Sequence, residues 1–293
     1  MIGASGKIGR AIYVRLCAEH EVRGFDIAPS STADIVAPLE DTAQLRTALE
    51  GVDAVIHSAA LHAPHVGRVA DSEFEATNVT ATERLVGLCL EAGVKQIIYT
   101  STTALYGHAS TTQGRATWIT EDVVPMPRTV YHRSKLRAEA ALEAAANAGR
   151  LAVAVLRMSR CFPEPAPVMA AYRLHRGVDA RDVAHAHALA LEKVRSGFHR
   201  YIVSGATPFD PSDAEELWRQ APAVIRRRLP ELAEAFDRRG WQLPAAIDRI
   251  YASKKAQSEL GWQPSFGYAE VLAELDRRSS EVLPLGKNGS ASN

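Results

Sequence analysis

Short apolar runs alternate along the chain with longer amphipathic stretches. The apolar runs predict buried strands at 22–26, 54–57, 96–100, 151–156 and 198–204. Between them, apolar residues recur every three or four positions and predict helices, among them 42–49, 78–92 and 182–193. Strands that alternate with helices favour a parallel sheet covered on both faces, which is an α/β fold.

A glycine-rich turn stands before the first helical stretch. Gly3, Gly6 and Gly9 are spaced as in turns that bring backbone amides close to a pyrophosphate and then let a helix pack closely. Asp26 ends the next predicted strand, where a carboxylate can hold the ribose hydroxyls of adenosine and repel a 2′-phosphate. The pattern favours NAD over NADP. The alternative for Asp26 is an ordinary acidic turn residue.

Tyr131 and Lys135 are four residues apart in a helical pattern, so their side chains lie on one face. An ammonium beside a phenol favours the phenolate, so it lowers the pKa of the tyrosine from about 10 and allows proton exchange near neutral pH. The strand before this helix ends in hydroxyl residues at 100–103, at the sheet edge where ligands bind in open α/β folds. The alternative is a helix surface with two unrelated residues, and the neighbouring motifs favour catalysis.

In order and spacing, these residues resemble the extended short-chain dehydrogenases/reductases, the group of NAD-dependent epimerases and dehydratases. The resemblance covers nearly the whole chain and rests on Gly3, Gly6, Gly9, Asp26, Asn78 and the segments 57–60, 100–107, 131–135 and 253–264. It implies a doubly wound parallel Rossmann sheet with a small, mostly helical C-terminal substrate cap.

The same resemblance implies the site residues. Thr102, Tyr131 and Lys135 are the implied catalytic residues, with Tyr131 as the acid/base and Thr103 or Ser101 as alternatives to Thr102. The implied cofactor-binding residues are Gly3, Gly6, Lys7, Ile8, Gly9, Asp26, Leu39, Ser58, Ala59, Ala60, Asn78, Tyr131 and Lys135. Candidate substrate contacts, weighed against solvated loop residues and salt-bridge partners, are His62, Thr103, Arg160 and Arg176.

The predicted organisation is one Rossmann unit with a minor cap. Residues 1–160 form the NAD-binding core with a truncated first strand, 178–204 complete it, 161–177 and 205–285 form the cap, and 286–293 form a disordered tail. Only Met1 and Ile2 precede Gly3, where the family has a complete central strand. We therefore expect a start codon assigned too late or a trimmed chain. Pro222 and Pro230 should divide 213–239 into two helices.

Several positions depart from the family pattern. Pro38 stands where relatives often carry an acidic residue that touches adenine, and Met158 follows Arg157 where relatives usually have proline. Only about ten residues separate Pro165 from His175, where nucleotide-sugar enzymes insert a longer segment. The short segment favours a compact substrate, and shortened relatives that oxidise free sugar acids resemble it.

Composition excludes several classes of protein. The 34 basic residues balance 34 acidic ones, which gives no support to nucleic-acid binding. No apolar stretch approaches membrane length and no leader opens the chain, so we expect a soluble cytoplasmic protein. Cys17, Cys89 and Cys161 are spaced as reduced thiols, and the ten histidines, including His62 and His65, lack the spacing of a metal site.

The sequence predicts an NAD-dependent oxidoreductase that moves a hydride between the nicotinamide and a secondary alcohol or ketone of a small polar, sugar-like substrate. The first alternative is a nucleotide-sugar epimerase or dehydratase that keeps its NAD bound. The second is a non-catalytic NAD-sensing regulator, against which the set Thr102, Tyr131 and Lys135 argues. The resemblance further implies a homodimer paired through the helix that carries Tyr131.

Overall fold

Parallel strands and the helices between them make up most of the computed structural model, which describes residues 1–283. The strands are β1 Phe25–Asp26, β2 Ile35–Val36, β3 Ala54–His57, β4 Gln96–Thr102, β5 Thr117–Ile119, β6 Ala152–Met158, β7 Phe198–Val203 and β8 Arg249–Tyr251. The helices are α1 Lys7–Leu16, α2 Thr42–Leu49, α3 Asp71–Phe74, α4 Ala81–Glu91, α5 Val130–Asn147, α6 Ala166–Tyr172, α7 Ala180–Lys193, α8 Ala214–Arg228, α9 Pro230–Arg238, α10 Lys254–Leu260 and α11 Tyr268–Asp276.

The central sheet is parallel, with neighbouring strands in the order β3-β4-β6-β7. Ile98 in β4 pairs with Ile56 in β3 on one side and with Ala154 in β6 on the other. Nearly every residue of β4 and β6 is buried, as expected for parallel strands covered on both faces. The predicted α/β class with a doubly wound parallel sheet is confirmed.

Ile2 joins the two parts of the sheet. It bridges Phe25 of β1 and His57 of β3, its amide donates to the Ile56 carbonyl at 2.8 Å, and its carbonyl accepts from the Ser58 amide at 2.9 Å. Its neighbours also pair with β1, since the Met1 carbonyl accepts from the Phe25 amide at 2.8 Å and the Gly3 amide donates to the Phe25 carbonyl at 2.9 Å. Residues 1–3 thus occupy the position between β1 and β3.

Two apolar layers cover the faces of the sheet. One contains Leu45 of α2, Leu85 of α4 and Leu142 of α5. The other contains Ile12 of α1 and residues of α7, and α10 packs there through Ala256 and Leu260, followed by Trp262. The Trp262 indole donates to the Asp182 carbonyl at 2.9 Å. Thus α10, which lies within the segment predicted as cap, packs on the Rossmann layer.

A further core lies among α6, α8, α9 and α11, with Phe209, Leu217, Leu232 and Phe236 among its buried residues. The short strands β5 and β8 pair in parallel and connect the loop after β4 to this part of the chain. As predicted, Pro230 begins α9, and α8 contains a kink at Gln220, two residues before Pro222. The division into core and cap stays a prediction, and the tail predicted at 286–293 lies outside the described residues.

The helix predicted at 78–92 differs from the one observed. It begins earlier, at Asp71, and runs through a π-helical segment at Glu75–Thr80 before α4. π-Helical turns often occur at functional sites because they displace one face of a helix by a residue. Here the π-helical segment contains the buried Asn78.

The structure also bears on membrane spans, metal sites and the state of the cysteines. Between residues 1 and 283, no helix combines the length and apolar character needed to cross a membrane, and no three His, Cys, Asp or Glu residues are grouped as metal ligands. Cys17, Cys89 and Cys161 are free thiols.

Candidate active site

The glycine turn packs directly on the end of β3. Gly3 has φ +86°, and a Cβ there would lie 2.5 Å from the Ala59 amide nitrogen. A Cβ on Gly9 would lie 1.8 Å from the Gly3 carbonyl oxygen, so α1 approaches the turn more closely than any side chain allows. At Gly6, by contrast, a Cβ would meet only the Gly3 oxygen at 3.9 Å.

This geometry fits the pyrophosphate of a dinucleotide. Gly6 is the N-cap of α1 and supplies no side chain to the first-turn amides. The backbone of Lys7, Ile8 and Gly9 therefore presents N–H groups that have no acceptor within the helix, at its positive end. The Lys7 ammonium points away to Glu281, 2.6 Å from its carboxylate, so the main chain of Lys7 remains as the predicted contact.

Asp26 is fixed beside the glycine turn. One carboxylate oxygen accepts from the Ser5 amide at 2.9 Å and the other from the Ala28 amide at 2.8 Å. The side chain is half-buried at the end of β1, next to the turn. Both oxygens keep a lone pair for a hydroxyl, and the contact to the adenosine ribose stays a prediction.

The loop after β3 forms the other wall of the groove. Ser58 donates to the carbonyls of Ile2 and Gly3 at 3.1 and 3.2 Å, and Ala59 and Ala60 are half-buried. The Asn78 amide group donates to the Leu61 carbonyl and to the Ser134 hydroxyl, while its oxygen accepts from the Leu61 amide. Since both N–H bonds of Asn78 are used, the residue joins this loop to α5.

Leu39, another predicted cofactor contact, is buried. It is buried in the same apolar layer as Ile2 and Phe25. Contact between Leu39 and adenine stays a prediction, as does the looser adenine contact expected from Pro38.

Tyr131 and Lys135 lie in the first turns of α5, against the end of β4. Tyr131 is buried with its hydroxyl beside that of Thr102, and the interaction between the two lowers the pKa of Tyr131 against the effect of burial. The Lys135 ammonium donates to the Thr100 carbonyl at 2.8 Å and lies 4.0 Å from the centroid of the Tyr99 ring. The structure therefore brings the three predicted catalytic residues together at the carboxyl edge of the sheet.

The electrostatics differ from one sequence expectation. The pKa of Tyr131 is raised to about 12, because burial outweighs the Thr102 interaction, and Lys135 does not contribute to this shift. Burial also lowers the pKa of Lys135 to about 7. The expectation that the Lys135 ammonium lowers the pKa of Tyr131 is thus not met, since that ammonium is directed to Thr100.

Sequence reasoning missed a buried polar network behind this site. Glu139 accepts from the Ser101 hydroxyl at 2.5 Å and pairs with the Arg157 guanidinium at 2.6 Å. Arg157 also donates to the Tyr106 hydroxyl at 3.0 Å. The signal was present in the sequence, because Glu139 follows Lys135 by the same four-residue step that separates Lys135 from Tyr131.

The candidate substrate residues form a stack of rings and guanidinium groups. Arg176 lies 4.3 Å from the Tyr172 ring centroid, and Arg160 lies between the rings of Tyr172 and Phe162. The His62 ring stacks on Phe162 at 5.8 Å. Three of the four predicted substrate contacts, His62, Arg160 and Arg176, are thus connected through two aromatic rings.

Both arginines also have acidic neighbours. Arg160 pairs with Glu164, and Arg176 lies 3.8 Å from Asp248. Thr103, the fourth predicted contact, is buried, and its carbonyl accepts from the Tyr251 hydroxyl. Contact of these residues with substrate stays a prediction.

Comparison with known proteins agrees with this geometry. The model of the NAD dependent epimerase/dehydratase family matches residues 1–166. The chain belongs to this family. The NAD-dependent enzyme class and the cofactor expected from Gly3, Gly6, Gly9 and Asp26 are therefore confirmed at the level of the family.

Individual proteins similar to this member of the NAD-dependent epimerase/dehydratase family match it beyond residue 166. The chain is 26% identical to the UDP-glucose 4-epimerase of Corynebacterium glutamicum over 93% of this chain and 92% of that protein. A short-chain dehydrogenase/reductase superfamily protein of Agrobacterium tumefaciens, solved with NAD, superposes with a TM-score of 0.71 at 19% identity, covering 94% of this chain and 96% of that one. A dTDP-glucose 4,6-dehydratase of Streptomyces venezuelae, solved with NAD, gives 0.69 at 21% identity and 94% of each chain. The two structural matches show a shared fold.

Proposed function

We propose that the protein is an NAD-dependent oxidoreductase acting on a secondary alcohol or ketone of a small polar, sugar-like substrate, with Tyr131 as its acid/base. The observation that carries this proposal is the meeting of Thr102, Tyr131 and Lys135 at the end of β4. The glycine turn begins at the neighbouring strand position, on the same edge of the sheet. A cofactor and a substrate hydroxyl can therefore meet there.

In the proposed reaction, the Tyr131 and Thr102 hydroxyls contact the same substrate oxygen. Tyr131 takes the proton of the alcohol as it is oxidised, or returns it as the ketone is reduced. Bound NAD supplies the hydride acceptor. Thr102 orients the substrate oxygen, and Lys135 would bind the ribose next to the nicotinamide. The buried positions of Tyr131 and Lys135 limit contact between this centre and water.

The segment between β6 and α7 supports a compact substrate. After Arg160, α6 spans only Ala166–Tyr172, and the chain returns to pair Gly177 with Arg160. Arg160 and Arg176 both contact the Tyr172 ring, and a substrate carboxylate could exchange with their partners Glu164 and Asp248. We propose that they bind the substrate there, with His62 and Thr103.

One specific observation favours a second candidate function. The Corynebacterium glutamicum relative matches this chain over 93% of its length, and its name is UDP-glucose 4-epimerase. In an epimerase, the hydride returns to the same molecule and NAD remains bound. The short α6 segment argues against a nucleotide-sugar. A regulator that only senses NAD has no use for the Thr102 and Tyr131 hydroxyls.

Incubation with NAD and a panel of sugars, sugar acids and nucleotide-sugars separates these functions. We expect the wild-type protein to form NADH from a free sugar or sugar acid. The Tyr131→Phe variant should form none, and the control variant Tyr13→Phe on α1 should form NADH as the wild type does. Stereochemical inversion of a nucleotide-sugar without net NADH would establish the epimerase instead. Binding of NAD with no turnover of the panel would support the regulator.

Assembly and location are part of the same proposal. We propose a cytoplasmic homodimer that pairs through α5 and its neighbouring helix. Light scattering of the purified protein should give twice the chain mass of 31.8 kDa. A value near that of one chain would reject the dimer.

A further inference from the structure

Glu139 is a buried carboxylate two turns beyond Tyr131 and one turn beyond Lys135. Its side chain is 2% exposed and accepts from Ser101 and from two nitrogens of Arg157. The Arg200 guanidinium lies 3.6 Å away on the outer side. Glu139 therefore connects the catalytic helix α5 to three strands, β4, β6 and β7.

Ser101 lies between two residues that contact the predicted catalytic side chains of α5. Ser101 follows Thr100, whose carbonyl accepts from Lys135, and precedes Thr102, whose hydroxyl lies beside Tyr131. A strand points successive side chains to opposite faces, so fixing the Ser101 side chain toward α5 also fixes the directions of its two neighbours. The Ser101–Glu139 hydrogen bond thus holds β4 and α5 in register at the site.

A buried ion pair does not by itself stabilise the fold much. The cost of removing two charges from water often equals their attraction, and apolar residues of the same size can replace such pairs without loss. Stability alone therefore does not explain the Glu139–Arg157 pair. A second effect of the Glu139 carboxylate is on Lys135, which is buried one turn away on α5.

The titratable groups around Lys135 come from several elements. On α5 they are Tyr131 and Glu139, on β4 Tyr99, on β3 His57 and in the loop after β3 His62. Burial lowers the pKa of Lys135 to about 7, and the Glu139 carboxylate opposes this by raising it. In this set Glu139 is the carboxylate, so it is the negative charge that favours the ammonium near neutral pH.

We propose that Glu139 is a positioning residue that holds the Lys135 ammonium charged and in register with Thr100 and Tyr131. The role as positioning residue rests on the proposed function of this site, whereas the effect of Glu139 on the charge of Lys135 does not. The two are separated by measuring the titration of Lys135 as well as turnover.

The first experiment compares Glu139→Gln with the wild-type protein and with Glu143→Gln. Glu143 stands one turn further along α5 and pairs with Arg200 near the surface, so it is the matched control. Both variants keep the size of the side chain. The chain has seven lysines, so ¹³Cε-lysine labelling resolves them, and Lys135→Met identifies the signal of Lys135.

We expect the NMR titration midpoint of Lys135 to fall by about one pH unit in Glu139→Gln. At pH 7 and saturating substrate, kcat should fall about fivefold, because the charged fraction of Lys135 falls from about one half to about one tenth. Glu143→Gln should change neither quantity. A folded Glu139→Gln with an unchanged midpoint, or an equal change in Glu143→Gln, would overturn the proposal.

Ser101→Ala tests the geometric part and remains informative if Glu139→Gln does not fold. This variant keeps the carboxylate but removes its hydrogen bond to β4. We expect the Lys135 midpoint to stay within about 0.3 pH units and kcat to fall severalfold. Unchanged kcat would show that the Ser101 contact does not position the site. If Tyr131→Phe retains full turnover, the proposed function fails, yet the Lys135 titration still decides the electrostatic role of Glu139.

Discussion

The Lys135 ammonium donates to the Thr100 carbonyl at 2.8 Å and lies 4.0 Å from the Tyr99 ring centroid. These contacts hold a cation inside the protein without a carboxylate in direct contact. They direct the ammonium toward the edge of the sheet where the cofactor groove ends. If Lys135 has the proposed role, its replacement should affect function more than folding.

Lys135→Met should lower kcat by about 10²-fold or more and weaken NAD binding, because it removes the ammonium proposed to hold the ribose. Thermal unfolding should change little, since the variant removes a charge that burial disfavours. Steady-state NADH formation, NAD titration by fluorescence and calorimetry measure these effects. The exposed Lys95→Met is the control. Wild-type turnover in Lys135→Met would contradict the proposed mechanism.

Gly9→Ala and Gly6→Ala should separate folding from cofactor binding. A Cβ on Gly9 would meet the Gly3 oxygen at 1.8 Å, so we expect the free energy of unfolding to fall by about 2 kcal/mol or more. A Cβ on Gly6 has space, so Gly6→Ala should unfold like the wild type but bind NAD at least tenfold more weakly. Urea unfolding and NAD titration test the pair. Equal stability of both variants would refute this explanation of the turn.

Asp26→Asn should relax the preference for NAD over NADP. The amide can still accept from either Ser5 or Ala28, but it no longer repels a 2′-phosphate. We expect the ratio of kcat/KM for NAD to that for NADP to fall at least tenfold. Asp34→Asn nearby, whose carboxylate accepts from the Gly24 amide, is the comparison for a merely structural carboxylate. If both variants change the ratio equally, Asp26 does not select the cofactor through contact with the ribose.

Three buried histidines should make the fold sensitive to acid. Burial lowers the pKa of His57 and His175 to about 3 and that of His187 to about 4. In the unfolded chain these rings take up protons near pH 6.5, so the unfolded state binds more protons between about pH 6.5 and 4. Stability is therefore full above pH 6.5 and falls as the pH decreases, by about 1.4 kcal/mol per pH unit for each ring.

Thermal unfolding from pH 8 to pH 4.5 measures this dependence. His187, which contacts Thr100 at 2.8 Å and the Val183 carbonyl, is the residue to replace, and His187→Gln should reduce the slope by about one proton. The exposed His20→Gln should keep the wild-type slope. An unfolding temperature independent of pH across this range would contradict the prediction.

The pattern of apolar positions was sufficient to predict the parallel α/β sheet, since strands covered on both faces are apolar throughout, as β4 and β6 are. The four-residue step from Tyr131 to Lys135 and the glycine spacing identified the family, because helix and turn geometry are local properties. The π-helical segment that contains Asn78 was missed, since its hydrogen bonds to Leu61 and Ser134 join residues distant in the chain.

Sequence by itself determined the family and the candidate site residues, because the glycine turn, Asp26, Thr102, Tyr131 and Lys135 all lie in local motifs. Tertiary structure alone decided how they act on one another. The burial that raises the pKa of Tyr131 and lowers that of Lys135 comes from packing α5 against β4, and the carboxylate of Glu139 reaches Ser101 and Arg157 across 38 and 18 residues of sequence. Desolvation and long-range pairing depend on what surrounds a group in space, and no local pattern encodes them.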